Sequence, residues 1–165
     1  MPIIPKPKKK RTDVDMELVV FLKGLSLFST LTKGERINLS RFIYQRDYKK
    51  DEIIVKKGYP NVVFYIVQNG ELLIYLEHGE EQIELRRVGE KEFFGEIGIF
   101  LEEDRTASVK ATMDSTLLAI PTTEFQKFID QYPRAAAKIL FNMGQVLASN
   151  ILKLNNKLQT MKIEK

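Results

Sequence analysis

The sequence predicts a mainly β domain, a sandwich or jelly-roll, with helices before and after it. Three observations carry this. Between about residue 44 and residue 120, short runs rich in β-branched and aromatic residues alternate with turn signals. Before residue 44 and after Pro121 the apolar residues recur at helical spacing instead. The chain has 165 residues, enough for one such domain and too few for two full ones.

The elements follow in order. Residues 1–12 form a basic arm in which Pro2, Pro5 and Pro7 interrupt regular structure and like charges repel, so a disordered tail is expected. A short helix fits 14–24, capped by Asp13 or Asp15, with Leu18, Val19, Leu22 and Leu25 on one face. A second fits 32–43, where Thr32 followed by Glu35 makes a capping box and Ile37, Leu39, Phe42 and Ile43 face inward. Strands are expected at 53–55, 62–67, 71–76, 82–87, 107–113 and 115–120, punctuated by Lys57-Gly58, Asn69-Gly70, His78-Gly79 and Gly89. Asn69-Gly70 between two apolar runs reads as a hairpin turn. Thr122 or Thr123 caps a helix running to Gln131, with Phe125, Phe128 and Ile129 inward, and Pro133 opens a long helix over about 134–160. In that helix Leu140, Met143, Leu147, Asn150, Leu154, Leu158 and Met161 step by three or four, close to a heptad seam, and a homodimer through this face is expected.

Composition removes several function classes. There is no Cys and a single His, His78, so disulfide frameworks, zinc ribbons, thiol catalysis and His-rich metal sites are excluded, and no metal is expected. The net charge is +4, but residues 1–11 contribute +5, which leaves the remaining 154 at −1. The folded body therefore lacks the basic surface of a nucleic-acid-binding domain. No apolar window approaches the length of a membrane span, no signal sequence is evident, and a cytoplasmic location is expected.

The segment with chemical content is Phe93-Phe94-Gly95-Glu96-Ile97-Gly98-Ile99-Phe100, followed by Arg105-Thr106-Ala107-Ser108-Val109. Gly95 allows a ligand close to the backbone. Glu96 is an acceptor-only carboxylate. Residues 97–101 suit one helical turn, whose free N–H groups attract an anion. Arg105 offers a guanidinium fork suited to phosphate, and Thr106 and Ser108 add hydroxyls. A pocket with a carboxylate at one end and Arg plus N–H donors at the other suits a ligand with a hydroxyl and a phosphate.

This stretch resembles the phosphate-binding cassette of the cyclic-nucleotide-binding domain, the module shared by catabolite activator protein, protein-kinase-A regulatory subunits and cyclic-nucleotide-gated channels. Phe94 to Ile99 and Arg105 to Val109 match its pattern, and the resemblance extends from Leu25 to about Leu158 through Leu25-Ser26-Leu27-Phe28, Lys57-Gly58, Phe64-Tyr65-Ile66-Val67 and Asn69-Gly70-Glu71. It implies an eight-stranded jelly-roll (double-stranded β-helix) barrel over about 44–120 within a domain at 13–165. It implies that cAMP or cGMP binds, with Glu96 on the ribose 2′-hydroxyl and Arg105 on the cyclic phosphate. Gly95 and the backbone near Ile97, Thr106 and Ala107 would complete the cradle. Leu85 and Ile74 would pack on the purine, and a Thr after the Arg, as in channel-type members, keeps cGMP open. The helix from residue 134 would cap the base, with Asn142, Gln145, Ser149 and Asn150 as candidates.

Two departures stand out. Glu102, Glu103 and Asp104 precede Arg105 and can pair with it in an empty site, and Lys91 replaces a frequent Gly. Only five residues follow Thr160, so no recognition helix fits and direct DNA binding is not expected. The resulting expectation is a free-standing, non-enzymatic cyclic-nucleotide receptor. It would signal by moving its last helix toward an effector protein or its dimer mate. The alternative is the same fold without nucleotide, acting as an interaction scaffold.

Overall fold

A computed structural model describes residues 14–79 and 81–163. The basic arm at 1–12, and Asp13 with it, lies outside the described residues. Helix α1 spans Met16–Lys23, and its cap is Asp15, whose side chain accepts from the N–H groups of Glu17 and Leu18. A 3₁₀ turn at Ser26–Phe28 leads to α2 at Lys33–Ser40, which has the expected Thr32–Glu35 capping box. Leu39 and Phe42 are buried as expected, whereas Ile37 is only half-buried.

The strands follow as β1 Tyr44–Tyr48, β2 Ile53–Val55, β3 Val63–Asn69, β4 Leu72–His78, β5 Glu81–Val88 and β6 Phe93–Phe94. A four-residue helix, α3 at Ile97–Phe100, precedes β7 Ser108–Ala111 and β8 Ser115–Pro121. Then come α4 at Thr122–Gln131 and α5 at Pro133–Ile163. Strands β1 and β6 were not expected. The first is largely polar (Tyr-Gln-Arg-Asp-Tyr) and the second is two residues long, so neither shows an alternating pattern.

Among the described residues the eight strands form two antiparallel sheets, ordered β1-β8-β3-β6 and β2-β7-β4-β5. The barrel is not closed: no ladder joins one sheet to the other. Alternation along β3 explains the layering. Val63, Tyr65 and Val67 enter the cluster between the sheets, with Val109 and Leu72 from the facing sheet. Phe64 and Ile66 enter a second cluster, with Leu118, Ile120 and the helices. A strand buried on both faces reads as a continuous apolar run.

Two expectations are corrected. Asn69-Gly70 is not a hairpin turn, because β3 and β4 lie in different sheets. Gly70 is still required there, with φ +101° and no room for a Cβ against Ser115. The hairpin falls instead at Gly79, between β4 and β5, where His78 pairs with Glu81. Neither Thr122 nor Thr123 caps α4, because β8 runs straight into it and the Thr122 N–H donates to the Val62 carbonyl.

Candidate functional site

One cavity of about 220 Å³ opens where the Gly95–Ile97 turn meets the loop before β7. Its position follows from backbone bonds. The Lys57-Gly58 turn clasps this loop: the Gly58 N–H donates to the Arg105 carbonyl at 2.9 Å, and the Arg105 N–H donates to the Tyr59 carbonyl at 2.8 Å. From the other side, Phe94 stacks on Tyr65 at 5.0 Å between ring centroids. Gly95 follows directly at φ +83°, a conformation that favours glycine. A Cβ there would collide with the Arg105 guanidinium and lie 2.8 Å from the Val63 carbonyl.

Arg105 is 7% exposed. Its Nη2 donates to the Val63 carbonyl at 2.6 Å, and its guanidinium lies 5.8 Å above the Tyr65 ring centre. Its Nε is buried without a partner. Burial pulls its pKa below the ordinary arginine value, while the fields of Tyr65 and Glu96 act the other way. A guanidinium remains charged under such a shift. Among the described residues no ion pair joins Arg105 to a carboxylate. The expected pairing with Glu102, Glu103 or Asp104 is therefore not formed. All three are exposed, although Asp104 reaches the cavity wall. A buried cation with an open donor fork beside a cavity is a place for an anion.

Of the residues singled out from the sequence, Gly95, Glu96, Ile97, Arg105, Thr106, Ala107 and Ile74 line this one cavity. The N–H groups of Glu96, Thr106 and Ala107 donate to no backbone carbonyl among the described residues. Leu85 and Ser108 do not line the cavity. Leu85 is the extra residue of a bulge, because Ile74 pairs with Arg86 and Tyr75 with Glu84, and it is 52% exposed. Ser108 is 1% exposed, and its Oγ accepts the Lys57 N–H at 3.0 Å, so it holds the turn rather than facing the cavity.

The structure adds Val55, Asn61, Arg86 and Val109 to the wall. No sequence spacing brings these together, because cross-strand register assembles them. Asn142, Gln145, Ser149 and Asn150, the expected base-capping residues, face a different, polar groove against Ser26, Ser29 and Thr30. Asn142 is fixed there, donating to the Leu27 carbonyl and to Thr30 Oγ1, each at 2.9 Å.

A family model for the cyclic nucleotide-binding domain matches residues 45–132, which holds every strand but the first residue of β1, and the whole cavity wall. The chain belongs to that family. The cyclic nucleotide-binding domain here is 30% identical over 109 residues to a cAMP-dependent protein kinase regulatory subunit of Colletotrichum orbiculare, a match covering 66% of this chain and 27% of the relative. The chain spans about a quarter of the length of the curated relatives it matches. A cyclic nucleotide-binding domain from Methylobacillus flagellatus superposes with a TM-score of 0.74 over 86% of this chain and 80% of the other, and at 16% identity it shows the fold alone. The catabolite activator protein of Thermus thermophilus gives a TM-score of 0.72 at 26% identity, covering 83% of this chain and 63% of its own. The family is regulatory rather than catalytic. No helix among the described residues is long and apolar enough to cross a membrane, and no cluster there of three or more His, Cys, Asp or Glu could hold a metal ion.

Proposed function

We propose that this domain is a cyclic-nucleotide receptor whose ligand occupies the cavity between Gly95–Ile97 and Arg105–Ala107. The observation that carries the reading is Arg105: a buried guanidinium at the cavity wall, in no ion pair among the described residues, seated against a glycine whose missing Cβ makes room for it. The cyclic phosphate takes the remaining N–H groups of Arg105 and the free backbone donors of Thr106 and Ala107. Glu96 accepts from the ribose hydroxyl. The base lies over Ile74, Val109 and Val55. The kinship with a cAMP-dependent kinase subunit supports cAMP as one candidate and leaves cGMP as the other. Signalling runs through α5, which packs on α4 and the 3₁₀ turn and ends with an exposed apolar face suited to an effector or to a second copy.

The test is thermal unfolding with cAMP, cGMP and AMP. A ligand at 100 times its Kd stabilises by ~2.7 kcal/mol, which for a domain of this size raises Tm by about 5–10 °C. A rise with a cyclic nucleotide, absent with AMP and abolished in Arg105→Ala, is the expected result. The unliganded Tm of the variant shows whether it folds. An equal rise in wild type and variant would overturn the assignment. No rise with any nucleotide would favour the interaction scaffold, a reading to which Asp104 at the cavity wall lends support.

A further inference from the structure

The second half of α5 combines an apolar seam with charge of a single sign. Leu147, Ile151, Leu154, Leu158 and Met161 step by four and three, a strict heptad that includes Ile151 and leaves out Asn150. From Ile151 onward these residues are exposed and pack on neither core cluster. At about 100° per residue the last four lie within an arc of roughly 80°. That is the narrow stripe of a coiled-coil seam. A helix that lies on a membrane presents a broader face with aromatic residues, and 148–163 contains no Phe, Tyr or Trp.

The charge is as one-sided as the seam. Pro133–Ile163 contains Arg134, Lys138, Lys153, Lys157 and Lys162 and neither Asp nor Glu. Lys138 is committed to Glu35 on α2. Lys153 and Lys157 are exposed and join no ion pair among the described residues. With Ile151 and Leu158 at a, and Leu154 and Met161 at d, the flanking positions are Asn150 and Lys157 at g and Asn155 and Lys162 at e.

These flanks decide the partner. In a parallel pair, g of one helix meets e of the other's next heptad, so a second copy would set Lys157 against Lys162. In an antiparallel pair g meets g and e meets e, and lysine again faces lysine or asparagine. No arrangement of two such helices supplies an acid, and like charges across an interface reject a partner as opposite charges select one. Resting on the reading of α5 as the signalling helix, and not on nucleotide binding, we infer that its second half pairs with an acidic amphipathic helix of a different protein. That helix carries aliphatic residues at a and d and Glu or Asp at e and g.

The experiment is calorimetric titration of the full chain, without nucleotide, with two synthetic three-heptad peptides. Both carry Ile at a and Leu at d; one has Glu at every e and g position, the other Lys. Wild type is expected to bind the Glu peptide roughly ten-fold or more tightly than the Lys peptide, a preference that shrinks as salt is added. Lys157→Glu combined with Lys162→Glu should reverse the preference. Leu154→Ala should weaken binding, whereas Leu152→Ala should leave it unchanged, because Leu152 is equally exposed but lies off the seam at b. All these substitutions fall on the projecting part of α5, so the variants should fold, and their Tm checks this. Equal affinity for the two peptides, or binding of neither, overturns the inference. A dimer of the chain alone, seen by sedimentation and dissolved by Leu154→Ala, gives the seam to a second copy instead. Binding to phosphatidylserine vesicles but to neither peptide gives it to a lipid surface, and likewise overturns the inference. Each of these failures leaves the nucleotide reading standing, since no nucleotide enters the titration.

Discussion

The two halves of α5 carry the same apolar rhythm and meet opposite fates. In the first half Ala135, Ala136, Ile139 and Met143 are at most 3% exposed, packed against Leu27, Phe28 and Phe128. Polar anchors reinforce this: Asn142 reaches the 3₁₀ turn, and Lys138 places its Nζ 2.9 Å from both Glu35 oxygens on α2. In the second half Ile151, Leu154, Leu158 and Met161 are 48–58% exposed. Residues 148–163 extend about 24 Å, at the usual helical rise, beyond Leu147, the last apolar residue packed on the helical cluster. An apolar period states which face is sticky. What lies beneath that face decides whether the stickiness goes to the fold or stays available.

The sharpest way to break the comparison is to cut into the first half. Met143 has no exposed surface, so Met143→Ala leaves a cavity in the helical cluster. The expected cost is about 2–5 kcal/mol, measured by urea denaturation. A loss under about 0.5 kcal/mol would mean that α5 is only loosely seated, and the contrast between its halves would dissolve.

That contrast also marks what could be read in advance. The Gly95-Glu96 and Arg105-Thr106-Ala107 segments were legible because each is contiguous and its chemistry is local. The α2 cap was legible for the same reason. Arg86 was not, because it joins Val55, Val109 and Ile74 only through strand pairing. Leu85 stands off the cavity wall as the extra residue of a bulge, and Ser108 turns its Oγ to the Lys57 N–H, two placements that no spacing reveals. Asn69-Gly70 has the composition of a hairpin and serves as a crossing between sheets, since turn chemistry fixes a bend but not its destination. The seam from Leu140 to Met161 was read as one surface, and the body ends beneath it part-way along.

A smaller effect tests the anchor between α5 and α2. Burial pushes the Glu35 carboxyl up, but hydrogen bonds from Lys138 and Thr32 outweigh it and hold the group below its ordinary value of 4.5. A depressed carboxylate stabilises the fold above its unfolded pKa and loses that contribution as pH falls through the folded value. Lys138→Ala should therefore cost up to about 1 kcal/mol at pH 7, as half-exposed pairs do. The gap between wild type and variant should close as pH falls below 4.5. A gap that persists at pH 3 would show that the Lys138 stem, by packing, is what ties the helices.

The smallest effect bears on the second half of α5. Leu154 is 57% exposed and packs on neither core cluster, so Leu154→Ala at low protein concentration should shift stability by no more than about 0.5 kcal/mol. The helix keeps its propensity, since Ala is a better helix former than Leu. If this face is a meeting surface, the cost appears only where it is covered. The wild-type midpoint should then rise with protein concentration or with added partner, because whatever binds the native state alone stabilises it by mass action. The Leu154→Ala midpoint should not. A concentration-independent loss of 2 kcal/mol or more, the range of a truncated core leucine, would place Leu154 against the chain's own body and make both halves of α5 structural.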